Sequence, residues 1–114
     1  MRDAIVRFNK ALANEERMEI IRLLLEHKVL YAKEIQKHFY LEQSTASHHL
    51  NILKKANIIQ SVKRGRFVYY ELNASEVRAM LTQLSDRLLG SDAWLLLKLT
   101  IVIIWNSIPI IPVI

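Results

Sequence analysis

The chain has 114 residues, room for one compact domain and hardly for two. Sixteen Lys and Arg against eleven Asp and Glu leave a formal charge of +5, which favours a polyanionic partner, nucleic acid or an anionic lipid surface. The absence of cysteine excludes disulfides, thiolate metal sites and thiol redox chemistry, and with nothing at the N-terminus that reads as a leader, a reducing cytoplasm is the expected location. Only two Gly and two Pro occur, both prolines in the last six residues, so the body should be mostly helical.

Ala4, Ile5, Phe8, Ala11 and Leu12 recur at helical spacing and predict a short amphipathic helix over 3–12, with Arg7 and Lys10 off the apolar face. Asn14 before Glu15 and Glu16 reads as an N-cap with acidic residues at the positive end of a helix dipole, starting a second helix over Glu15–His27. Met18, Ile20, Ile21, Leu24 and Leu25 give it a broad side for burial. Ile35 and Phe39 beside Ala32 support a short helix over 31–39, which Tyr40, Leu41 and Glu42 interrupt. Ala46, Leu50 and Leu53 restart the period over 43–56. A short helix, a three-residue turn and a second helix with a polar outward face is the helix-turn-helix pattern.

After Asn57 the apolar period falls from about 3.6 to about 2. The runs 58–62 and Phe67–Leu72 flank Lys63, Arg64, Gly65 and Arg66, a β-hairpin whose tip uses the positive φ open to glycine. Within it Tyr69 and Tyr70 alternate in facing, one toward the core. Val77, Met80, Leu81, Leu84 and Leu88 then mark a helix over 75–89 that Gly90 ends. The expected fold class is mostly α with a small β-hairpin wing, a winged helix-turn-helix.

Composition shifts after Asp92: 93–114 carries a single charge, Lys98, so 1–92 is expected as a DNA-binding and dimerisation domain and 93–114 as an apolar tail. Three accounts of the tail stand. The stretch 94–114 meets the length of roughly 20 apolar residues that a membrane span needs, though it ends in Pro109 and Pro112 with no basic flank. It extends a dimer interface through Leu95, Leu99 and Val102. Or it is foreign, from a frame change or an added extension, without an evolved role.

Ser47-x-His49-Leu50-x-x-Leu53, followed by Gly65-x-x-x-x-Tyr70 and set in this order of elements, resembles the ArsR/SmtB family of bacterial and archaeal repressors over 1–90. The resemblance implies a homodimer built from 3–12 and 75–89, whose recognition helices enter successive major grooves of a palindromic operator. The apolar stripes agree, with Ile5, Phe8, Val77, Met80, Leu81, Leu84 and Leu88 as dimerisation residues, since so small a protomer has little core to cover them. The family's metal sensors carry Cys in the first helix of the motif or Asp and His along the last. Here 30–35 has no Cys, and 75–89 offers only Glu76 and Asp86, so no metal and no cofactor is expected.

Gln43, Ser44, Thr45, Ser47, His48 and Asn51 lie where a recognition helix meets DNA; the plainer reading is a solvated polar face. Gln43 and His48 are the expected base readers, Ser44 and Thr45 phosphate contacts. Lys54, with the wing cations Lys63, Arg64 and Arg66, suits phosphates and the minor groove; Lys33, Lys37 and Lys55 are weaker candidates. His48 and His49, adjacent and about 100° apart on a helix, cannot chelate one ion. His49 is expected to cap the buried side or bond a backbone carbonyl, and His27 and His38 to be solvated or capping. No nucleophile, base and orienting group converge, so an enzyme is not expected. The expected function is a homodimeric repressor of double-stranded DNA, released by an inducer that the sequence does not name. Its rival is a membrane-associated or protein-sequestering module, touching membrane through 93–114, that has lost operator binding.

Overall fold

The computed structural model describes residues 3–39 and 42–108, with only the backbone at 91–96. In chain order its elements are α1 (Ala4–Leu12), α2 (Glu15–His27), β1 (Val29–Tyr31), α3 (Ala32–Phe39), α4 (Gln43–Lys55), β2 (Ile59–Arg64), β3 (Phe67–Leu72), α5 (Ala74–Leu89) and α6 (Ser91–Ser107). The chain forms two compact units, 1–80 and 81–114, whose boundary falls inside α5. The helix-turn-helix and its wing both lie in the first.

Side-chain caps start α1 and α2, and a turn ends α4. Asp3 accepts the Ile5 amide at 2.9 Å and starts α1; Asn14 accepts the Arg17 amide at 3.0 Å and starts α2, as the sequence predicts. α4 ends in a Schellman turn: the Asn57 amide donates to the Lys54 carbonyl and the Ile58 amide to the Leu53 carbonyl, both at 3.0 Å. Asn57 adopts the left-handed φ of 60° that this turn requires, which asparagine tolerates better than most residues. Ile58 is thereby turned inward, 1 % exposed.

The core gathers Phe8 and Ala11 from α1, Ile20, Leu23 and Leu24 from α2, Ile35 from α3, Leu50 and Leu53 from α4, and Ile58 and Ile59 at the wing root; Val77 and Met80 of α5 pack against it. Two expectations need correcting. On α2, Met18 and Leu25 are exposed while Leu23 is buried, so the buried side is narrower than the apolar count suggested. Ile5 and Phe8, expected at a dimer seam, are 4 % and 1 % exposed, because α1 lays its apolar stripe on α2 and α4 of its own protomer. The large apolar residue that α1 leaves exposed is Val6.

The sheet is antiparallel in the order β1-β3-β2. Strand β1 was not foreseen: Tyr31, expected in a helix, pairs with Tyr69, and Leu30 with Tyr70. Leu30 and Ile59 are buried on the inner side, where Tyr70 and Leu72 pack on the core. On the other side the Tyr31 ring meets Phe67 and Tyr69 edge-on, centroids 5.3 and 5.9 Å apart. β2 runs on to Arg64, which pairs with Phe67, so Lys63 and Arg64 are strand residues and the turn is Gly65 and Arg66 alone. Gly65, at φ 61°, supplies the positive φ of a two-residue turn.

In the second unit, α5 continues to Leu89 and Gly90 (φ 79°) separates it from α6. None of its described side chains is buried. The apolar tail is thus helical to Ser107; Pro109 and Pro112 lie outside the described residues. Among the described residues no helix is long and apolar enough to cross a membrane.

Candidate nucleic-acid interface

Two faces of α4 divide the work. Ala46, His49, Leu50 and Leu53, spaced i, i+3, i+4 and i+7, are all buried and fix the helix's rotation about its axis. Gln43, Ser44, Ser47, His48, Asn51 and Lys54 are exposed, and Thr45 is half-buried. Because the inward set is locked, the outward set points in a direction the core decides.

The outward residues fall into two adjoining grooves that share Ser47. One, of about 690 Å³, brings Gln43 and Ser47 beside Lys33, Gln36 and Lys37 of α3. The other, of about 440 Å³, brings Ser47, His48, Asn51 and Lys54 beside Tyr70 of β3. Ser44 and Thr45 line neither. Lys63, Arg64 and Arg66 are exposed at the far end of the hairpin. Glu42, the N-cap of α4, makes no side-chain capping bond, in keeping with the poor capping power of glutamate. Gln43 and Asn51 can donate and accept at base edges, hydroxyls and cations can hold phosphate, and the grooves concentrate both kinds of group.

The dimerisation candidates are dispersed. Ile5 and Phe8 are core, Val77 and Met80 are half-buried against that core, Leu84 is half-buried, and Leu81 and Leu88 are 50 % and 72 % exposed.

His48 and His49 diverge as a helix requires, one exposed and one buried. His49 bonds neither a carbonyl nor a cap: Glu16 Oε2 lies 2.6 Å from its Nε2 and Arg17 Nη1 lies 3.2 Å from its Nδ1. The sequence marks His49 as inward, three residues beyond Ala46 on the apolar stripe, where a polar ring needs partners. Which partners it finds depends on how α2 crosses α4, and neither Glu16 nor Arg17 was foreseen there. Among the described residues no three His, Asp or Glu side chains come together in a way that would hold a metal ion.

A model of the arsR family of bacterial regulatory proteins matches residues 14–61. The transcriptional repressor SdpR of Bacillus subtilis is 39 % identical over 66 residues, 58 % of this chain and 72 % of SdpR. The transcriptional activator HlyU of Vibrio cholerae is 36 % identical over 72 residues, 63 % of this chain and 66 % of HlyU. In structure, a homodimeric winged helix-turn-helix DNA-binding domain from Mycobacterium bovis superposes with a TM-score of 0.62 at 28 % identity, covering 75 % of this chain and 80 % of that one.

Proposed function

The chain belongs to the arsR family of bacterial regulatory proteins, and we propose that it is a sequence-specific DNA-binding repressor that acts as a homodimer on a palindromic operator. The observation that carries this reading is the outward face of α4. Gln43, Ser47, His48, Asn51 and Lys54 line two adjoining grooves, flanked by Lys33 and Lys37 of α3 on one side and by Tyr70 of the wing on the other. In the complex α4 lies in the major groove. Gln43 and His48 read base edges, Ser44 and Thr45 hold phosphate, and Ser47, Asn51 and Lys54 flank them. Lys63, Arg64 and Arg66 reach the adjoining minor groove and its phosphates. Residues 1–92 hold the DNA-binding and dimerisation functions, and 93–114 form an apolar tail that contributes no DNA contact. The dimer seam draws on Val77, Met80, Leu81, Leu84 and Leu88 of α5; of the α1 candidates, Ile5 and Phe8 are committed to the protomer's own core, and Val6 is the exposed apolar residue there. Two recognition helices related by a two-fold axis then meet half-sites about 34 Å apart. Occupancy of the operator blocks a promoter, and a signal other than metal releases it.

A gel-shift titration of the full chain tests this, with a duplex selected from a randomised library and a scrambled control at one salt concentration. Selective retardation by a dimer, with the selected duplex palindromic, is the expected outcome. Equal retardation of both duplexes would overturn sequence-specific binding, and selection of a single asymmetric half-site would overturn the dimer.

A further inference from the structure

Among the described residues His49 is the buried polar side chain, 7 % exposed, and it sits on the inward face of the helix proposed to read DNA. Its partner Arg17 is bonded in three directions. Nε donates to the Ala11 carbonyl at 2.6 Å, Nη2 to the Lys10 carbonyl at 3.2 Å, and Nη1 faces His49 Nδ1 at 3.2 Å. The first two acceptors are carbonyls in the last turn of α1, where intrahelical donors run out and a cation is favoured; the Lys10 carbonyl also accepts the Ala13 amide at 3.3 Å. The backbone of Arg17 is held as well, its amide bonded to Asn14 at 3.0 Å. A guanidinium has only donors, so Nδ1 must accept; the ring proton is then on Nε2 and is donated to Glu16 Oε2 at 2.6 Å. One imidazole tautomer therefore completes a bridge from the end of α1, through the first turn of α2, to the middle of α4.

We propose that Arg17 is a positioning residue for operator binding, pinning the recognition helix through His49 Nδ1 to the C-terminal carbonyls of α1 and so fixing the angle at which α4 meets DNA. The buried stripe decides which side of α4 faces inward, but non-directional apolar contacts hold its crossing angle against α1 and its sliding along its own axis less tightly. A bridge of directional bonds removes that freedom. In a two-fold dimer any slack between α4 and the rest of the protomer appears at both half-sites, so the bridge sets how strictly their spacing is read.

The inference rests on the DNA-binding reading, and its test uses the full chain with the library-selected duplex, the scrambled duplex, and the selected duplex with a few base pairs inserted between half-sites. Hydrogen bonds to charged groups are worth enough that Arg17→Ala and His49→Leu should each lower the selected-to-scrambled affinity ratio about tenfold. The double variant should lose no more than either single one, while scrambled-duplex affinity stays within about twofold. The same variants should tolerate the inserted base pairs better than wild type, and His49→Gln, whose amide can accept from Arg17 and donate to Glu16, should restore the ratio. Nitrogen NMR of the wild-type imidazole should find Nδ1 unprotonated, a measurement that stands even where a variant fails to fold. A proton on Nδ1, losses that multiply in the double variant, or lowered stability with an unchanged ratio would each overturn the bridge. Failure of wild type to prefer the selected duplex would sink the DNA-binding reading itself.

Discussion

Helices α4 and α6, of 13 and 17 residues, are built on opposite plans. α4 sorts its residues: four inward positions are buried, and the outward ones are polar. α6 does not sort them. Leu97, Leu99, Ile101, Val102, Ile103, Ile104 and Trp105 fall on every side of the helix, and each is at least 45 % exposed. Apolar content is therefore a poor guide to burial in this chain, and periodicity a good one. The helix with the lower apolar content contributes to the core, because only a helix with a distinct face can seal against neighbours and leave the other face to water.

Stability measurements should separate the two plans most sharply. Leu53→Ala removes a fully buried side chain of α4 and should cost about 2 to 5 kcal/mol in urea unfolding, whereas Ile103→Ala, at 63 % exposure, should stay within about 0.5 kcal/mol. Comparable losses would mean that something covers α6 in solution. The outward side of α4 comes next. Gln43→Ala and His48→Ala should each cost about 1 to 3 kcal/mol on the selected operator while sparing non-specific binding, and Ser44→Ala and Thr45→Ala should weaken both together. Circular dichroism would verify that the helix survives; an unchanged specificity ratio in the first pair would deny α4 its reading role.

The wing should affect affinity without affecting choice. Removing the side chains of Arg64 and Arg66 together should weaken binding to all duplexes and reduce the salt slope by about two units, one for each phosphate that goes unneutralised. An unchanged slope would take the wing off the DNA. Shortening the chain to end at Asp92 should leave the specificity ratio within about twofold, with sedimentation velocity still reporting a dimer. A monomer would instead show that α6 carries the seam. Smallest of all, micromolar Zn²⁺ or Cd²⁺ should shift neither the melting temperature nor DNA binding. Tight stoichiometric binding in calorimetry, abolished on replacing a histidine, would reveal ligands shared across the dimer.

What could be read in advance was local. The Asn14 cap, the break near Glu42, the change of period after Asn57 and the glycine turn at Gly65 are each set by a few neighbouring residues, and each appears where expected. What could not be read depends on distant segments meeting. Strand β1 is three residues long and exists because Val29, Leu30 and Tyr31 find Glu71, Tyr70 and Tyr69 some forty positions away. The stripe of Ile5 and Phe8 announced burial without saying whether the covering surface was the protomer's own. His49 announced a need for partners, and Arg17 and Glu16 meet it from 32 and 33 positions away.

One residue at the wing root has a mechanical consequence. The Ile58 amide is bonded to the Leu53 carbonyl at 3.0 Å, and the Ile58 carbonyl accepts the Asn73 amide at 2.8 Å. The hairpin from Ile59 to Leu72 is thus held at both of its ends by a single, fully buried position, in addition to the pairing of β3 with β1. Opening it from the base would expose Ile58 to water and break both stitches at once, so loosening begins at Gly65 and runs inward. Amide exchange should follow that gradient, fast at the turn and slowest at Ile58 and Asn73. A supple tip on a clamped root would let the cations proposed to meet the minor groove follow its width while the offset between the hairpin root and α4 stays constant.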